Sequence, residues 1–261
     1  MLLLTSSASV ACRKVNTRAT LPRSPLLRPT DGAHTRAVDP VSRTVILGRS
    51  VEGRPIIGIE AGDPASPRKV LAVGCVHGNE CAGEAITSRL LKLRPPAKVD
   101  LWIIPNLNPD GTALGTRGNA HGVDLNRNFP LHWQPLGGVY YSGPHALSEP
   151  EARIAYSLIR RLRPVVSIWF HQHLNLIDES GGNPTIETRF ARLVRLPLAR
   201  LTREPGSITT WENHTIAGTA FVVELPAGHL RPAAAARFAH AILTIATERQ
   251  RPSRTARTRP P

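Results

Sequence analysis

Only three cysteines, Cys12, Cys75 and Cys81, occur in 261 residues. That is too few for a disulfide framework and excludes a small stapled scaffold. No apolar run approaches the roughly 20 residues that a membrane-crossing helix needs. There is no internal repeat, which excludes solenoids and propellers. The N-terminus, MLLLTSSASVAC, lacks a basic leading region and has only a short apolar stretch, so it makes a poor secretory signal. Localisation stays open between secreted or cell-envelope and cytoplasmic. Acids are scarce at the two ends. Residues 249–261 hold five Arg and no acid, and residues 1–45 hold seven Lys/Arg against two acids. The 203 residues between carry 21 Lys/Arg and 17 acids. The net charge of +14 and pI near 11.1 therefore belong mostly to the ends, and no specific nucleic-acid partner is expected. Basic ends of this kind suit anionic polymers such as cell-wall polymers, lipid or nucleic acid.

What is present reads as one domain with tails. Residues 1–42, rich in Arg, Pro, Thr and Ser, are expected to be a disordered leader or linker. Residues 43–248 are expected to form the folded domain, and residues 249–261 a basic disordered tail. Arg43 to Ser50 and Arg54 to Gly62 predict a β-hairpin. Strands are expected at Lys69 to Val76, Val99 to Asn106, Pro164 to Phe170 and Gly218 to Pro226. Helices are expected at Glu80 to Leu93, Ser148 to Leu162 with Ser148 as cap, Ile186 to Leu193, and Pro232 to Glu248. Apolar strands alternating with helices predict an α/β fold, with a mixed, mostly parallel central sheet and helices on both faces. Between Leu107 and Gly143 lies a Gly/Asn-rich stretch with little regular pattern, and a loop that long in a compact domain points to function.

The chemistry clusters at strand ends, where α/β sheets place ligands. His77 and Glu80, in the sequence HGNE, follow an apolar strand, and His plus carboxylate is a common donor set for catalytic zinc. His171 ends the run VVSIWF and is the candidate third ligand. His173 is its rival, because residues two apart on a strand share a face. Glu224 is an acid in the apolar strand FVVELP, costly to bury unless it is paired or functional, and suited to take a proton from zinc-activated water. NPDG (Asn108 to Gly111) is turn chemistry. Arg127, beside Asn126 in DLNRNF, offers a fork for a carboxylate, and Arg117 a cation for an oxyanion. Cys75 and Cys81 flank HGNE as a bridge, as soft ligands or as small buried side chains, the last being the most frequent role.

Taken together, HGNE, NPDG, the Arg117 loop, DLNRNF, the strand-end His171 and FVVELP resemble the zinc carboxypeptidase family of carboxypeptidase A/B-like metallopeptidases. The resemblance runs from about Ser42 to Glu248 and includes GRSVEGRPI, similar to that family's opening hairpin. It favours His171 over His173. It implies one Zn2+ held by His77, Glu80 and His171, with Glu224 as general base and acid. It also implies Arg117 at the scissile carbonyl, and Asn126 with Arg127 on the substrate's terminal carboxylate. The compact chain looks most like the short bacterial members, including murein-peptide amidases, which cut a γ-D-glutamyl bond. One departure stands out. The family often supplies a mobile Tyr shortly before the catalytic Glu, yet Thr202 to Thr219 contains Trp211 and no Tyr, while Tyr140 and Tyr141 lie in another loop.

The expected function is therefore a zinc metallocarboxypeptidase that hydrolyses a C-terminal peptide or small peptide amide bond. Its expected partner is a peptide with a free C-terminal carboxylate, cell-wall peptide included, and the expected state is a monomer with no transmembrane segment. Two other classes compete: an N-acyl amino-acid deacylase of the aspartoacylase or succinylglutamate-desuccinylase type, and a non-catalytic binding module for peptides or cell-wall polymers. NPDG and the hairpin argue against the first, and the intact base Glu224 against the second.

Overall fold

The computed structural model describes residues 41–202 and 204–248. In chain order the elements are β1 (Val41–Arg49), β2 (Pro55–Gly62), β3 (Lys69–Val73), α1 (Glu84–Leu90), β4 (Asp100–Ile104), α2 (Pro109–Leu114), α3 (Pro150–Leu162), β5 (Val166–Asp178), α4 (Pro184–Val194), β6 (Leu198–Ala199), α5 (Ile208–Thr215), β7 (Thr219–Pro226) and α6 (Pro232–Thr247). The sheet runs β1-β2-β4-β3-β5. Beyond it, β5 pairs with β7 along most of its length and with β6 at its far end. The two pairings of β2 are antiparallel. β3, β4, β5 and β7 run parallel, so their carboxyl ends share one edge. The α/β class with a mixed, mostly parallel sheet holds. Among the described residues no helix is long and apolar enough to cross a membrane.

Period-2 alternation sorts the parallel strands into two cores. Val70, Ala72, Val166, Ile168, Phe170, Phe221 and Val223 pack with Ile86 of α1, Phe190 of α4 and Phe238 of α6. Leu71, Val73, Trp169 and Val222 face the other way, against Leu158 and Ile159 of α3 and Trp211 of α5. By that parity His171 and Glu224 fall on the α3/α5 side, and the parallel register sets them directly opposite each other.

Several expected boundaries shift for local reasons. β1 begins at Val41, two residues inside the expected leader. The rest of that leader and the 249–261 tail lie outside the described residues. The helix expected from Glu80 begins at Glu84, after a 3-10 turn at Cys81–Gly83, which leaves Glu80 in the preceding loop. NPDG is the start of a helix rather than an isolated turn: Asn108 caps α2 by accepting from Gly111 N at 2.9 Å, and Pro109 opens the first turn. Ser148 does not cap α3. The cap position is Glu149, and the Ser148 hydroxyl donates to Glu149 Oε1 at 2.7 Å. β5 continues eight residues past Phe170 because β7 and β6 partner its extension. α5 had no counterpart in the sequence reading.

α5 places an acid in the core. Glu212 is buried and accepts hydrogen bonds from Ser167 Oγ and from Trp169 Nε1. Burial pushes its carboxyl up to about 7, against the lowering effect of those two donors. Its stabilising contribution is therefore complete below its ordinary value of 4.5 and is lost as pH rises through about 7. Glu212→Gln keeps an acceptor for Trp169 and removes the proton equilibrium. Thermal melts should show the variant gaining on the parent as pH rises across this window, by on the order of 3 kcal/mol in total. Parallel pH profiles for the two chains would contradict the assignment.

Candidate metal centre and its cavity

HGNE leaves β3 in a tight loop whose path depends on glycine. A Cβ at Gly78 would lie 1.9 Å from the Gly111 carbonyl carbon, so the HGNE loop and the start of α2 meet backbone to backbone. Glu80 N donates to His77 O at 2.9 Å, which closes the turn and brings the two side chains together. Cys75 and Cys81 form a disulfide across this loop, enclosing both His77 and Glu80. The commonest role for such cysteines, as separate small buried side chains, does not apply here. The loop brings the two Cα atoms to 4.6 Å, within bridging range.

Three donors converge. His77 Nδ1 lies 2.9 Å from Glu80 Oε2, His171 Nδ1 lies 3.4 Å from the same oxygen, and the two ring nitrogens are 3.0 Å apart. Ligand bonds of 2.0–2.1 Å in a tetrahedral zinc site put donors about 3.3 Å apart, so this triangle has the size that a zinc ion requires. Its chemistry fits as well. Two imidazole nitrogens facing each other at 3.0 Å cannot both carry hydrogen, so at least one lone pair points into the triangle. His173 does not join them. It sits opposite Pro226 at the end of β7, exposed on the cavity rim.

Behind the triangle lies Asp124, to which the sequence reading gave no role. Its Oδ1 is 2.9 Å from His77 Nε2 and accepts from Asn126 N at 2.9 Å, and its Oδ2 accepts from Arg117 Nε at 2.9 Å. The hint was available in DLNRNF: a short acid two residues before Asn126, at the cap of a turn. Arg117 also donates to Glu80 Oε1 at 2.7 Å. Burial opposes ionisation of both acids. The two histidines nevertheless hold Glu80 well below the usual carboxylate range, and His77 with Arg117 and Arg127 does the same for Asp124. Burial alone would lower His77, but the Asp124 and Glu80 carboxylates raise it; His171 is lowered, chiefly by burial.

The triangle opens into a cavity of about 390 Å³, which Arg117, Asn126, Arg127, Tyr140 and Glu224 also line. Glu224 is half-buried rather than fully enclosed. Asn126 Oδ1 accepts from Ile208 N at 2.9 Å, which fixes the start of α5. Arg127 is only 7% exposed, and its Nη1 donates to Asn126 O at 2.8 Å. All seven expected site residues thus border one space.

Comparison with known proteins gives a consistent picture. A family model described as zinc carboxypeptidase matches residues 34–178. That stretch includes His77, Glu80, Arg117, Asn126, Arg127 and His171 and ends before Glu224. The chain is 33% identical to murein peptide amidase A of Escherichia coli (strain K12) over 181 residues, 63% of this chain and 74% of that protein. It is 32% identical over 190 residues to the carboxypeptidase N catalytic chain of Rattus norvegicus, 56% of this chain and 41% of that one. Among solved structures, murein-tripeptide amidase MpaA from Escherichia coli O157 superposes with a TM-score of 0.67 at 28% identity, covering 80% of this chain and 93% of that one. Carboxypeptidase A from Helicoverpa armigera reaches a TM-score of 0.67 at 18% identity over 79% of this chain and 68% of that one, a likeness of fold.

Asp124→Asn keeps the size of the side chain but removes the charge that orients His77. Partners of this kind typically contribute 10- to 100-fold in metal affinity, and a zinc-chelator competition titration should show a loss of about that size with the circular dichroism spectrum intact. Unchanged zinc affinity would mean that His77 needs no such support.

Proposed function

Starting from the fact that the chain belongs to the zinc carboxypeptidase family, and is thus a peptide hydrolase, we propose that it is a zinc metallocarboxypeptidase that cleaves a C-terminal peptide bond or a small peptide amide. Murein peptide is the favoured substrate class. The observation that carries this reading is the triangle of His77 Nδ1, Glu80 Oε2 and His171 Nδ1, with every side no longer than 3.4 Å, open to a cavity that Glu224 and two guanidiniums also line. These three residues would hold the zinc, which when bound supplies Lewis acidity, making water a nucleophile near neutral pH and polarising a carbonyl.

The chain's own groups do the rest. Glu224, set opposite His171 in the β5–β7 register, takes the proton from the attacking water and delivers it to the leaving amine. Arg117 donates to the oxygen on which negative charge develops. Arg127, with Asn126 beside it, grips the carboxylate at the substrate's end. The murein substrate class is supported by the names of the amidase relatives, and the free carboxylate by the placement of Arg127 in the cavity.

Glu224→Gln should keep one zinc per chain and lose turnover by about 10²- to 10⁴-fold, the range for a lost general base. Metal analysis and initial rates decide this, and a variant with parental activity would remove the hydrolytic assignment to Glu224. A panel tests the substrate: a γ-D-glutamyl-diaminopimelate peptide, ordinary peptides with free and amidated C-termini, and N-acyl amino acids. Free-acid peptides should turn over faster than their amides. Preferential hydrolysis of the N-acyl amino acids would instead assign the deacylase class.

A further inference from the structure

We propose that Tyr140 is a substrate-positioning residue whose ring contacts both cavity arginines and covers the carboxylate end of the bound peptide. The aromatic ring lies 5.3 Å from Arg117 Cζ and 5.2 Å from Arg127 Cζ, both inside the roughly 6 Å range of cation–π attraction. One aromatic ring therefore lies within cation–π range of two guanidiniums, of which Arg117 is also ion-paired to Glu80 and Asp124. For Arg127 this contact matters more. It is buried, it forms no ion pair among the described residues, and its Nε has no hydrogen-bond partner there. A buried charge with so little direct compensation is held by fields, and the Tyr140 ring and the Asp124 carboxylate are two of their sources.

The backbone turn that presents the ring is also well anchored. Tyr140 ends a 3-10 turn, Gly138–Tyr140, entered through Gly138 at φ 62°. The next residue is fixed at both ends of its backbone: Tyr141 N donates to Gly138 O at 3.1 Å, and Tyr141 O accepts from Asp124 N at 2.8 Å. The carboxylate residue that orients His77 and Arg117 thus also fixes the turn that presents the ring. Yet Tyr140 is 48% exposed, with Val139 and Tyr141 exposed beside it. An apolar surface at the mouth of a cavity lined by Arg117 and Arg127 is suited to being covered by a ligand. A peptide carboxylate seated on Arg127 would lie against this ring.

The proposal rests on the carboxypeptidase reading, and the test separates the two. Steady-state kinetics on the zinc-loaded full chain would compare Tyr140→Leu, Tyr140→Phe and Tyr140→Trp, using a free-acid peptide and its amidated twin. Leu keeps apolar bulk and removes the π system, so KM for the free-acid peptide should rise about 5- to 30-fold, the effect of losing cation–π support at a partly desolvated site, with kcat near the parental value because Glu80 and Asp124 still hold Arg117. Phe and Trp should restore the parental KM, because both keep a ring. An unchanged KM in the Leu variant, or a Phe variant as impaired as Leu, overturns the role of the ring face. A parental enzyme with no preference for the free-acid peptide would instead overturn the underlying reading of Arg127.

Discussion

Asp124 is the buried charge on which the geometry of the site depends. It holds the rear nitrogen of His77, the guanidinium of Arg117 and the peptide N–H of Asn126, and through its own N–H it holds the turn that carries Tyr140. An ionised carboxylate at 0% exposure is tolerable only because each oxygen meets a donor or a cation. That requirement acts in both directions. The ring, the fork and the turn can occupy only a narrow set of positions while Asp124 stays satisfied, so the parts of the cavity are fixed relative to one another.

The sheet supplies the rest of the precision. Four parallel strands end at one edge, and the alternation that fills two apolar cores also determines which strand-end residues face the cavity. His171 and Glu224 follow the parity of Trp169 and Val222, and the β5–β7 register makes them neighbours. Close backbone contact between Gly78 and Gly111 then brings the HGNE loop against α2. Gly206 does the same on the far side. At φ 66°, with room for no Cβ against the Arg127 carbonyl oxygen, it seats the segment before α5 on the DLNRNF turn.

Much of this was legible beforehand. Period-2 apolar runs and short motifs at their ends marked the strands and the convergent residues, since burial on both faces and ligand placement at carboxyl ends leave direct traces in the order of residues. Where the reading fell short, the deciding partner was in most cases distant in sequence. Ser148 lost its expected capping role because Glu149 and Asn128 engage its hydroxyl. α5 was missed because its stability comes from Trp211 and Glu212 packing against α3 and β5. His171 and His173 were equivalent by periodicity, and the structure separates them: His171 meets His77 and Glu80, whereas His173 lies opposite Pro226 at the end of β7.

By itself the sequence determined the α/β class, the strand ends that bear polar groups and the residue types available for metal, base and carboxylate chemistry. These depend on local pattern and on side-chain identity, which chain order records. Tertiary structure decided that His77, Glu80 and His171 meet in one triangle, that Asp124 orients two of the site's members, that Cys75 and Cys81 are bridged, and that the Tyr140 ring lies within reach of two arginines. Each of these depends on distances of a few ångströms between segments that are mostly tens of residues apart, and such distances are set by packing and register rather than by the order of residues.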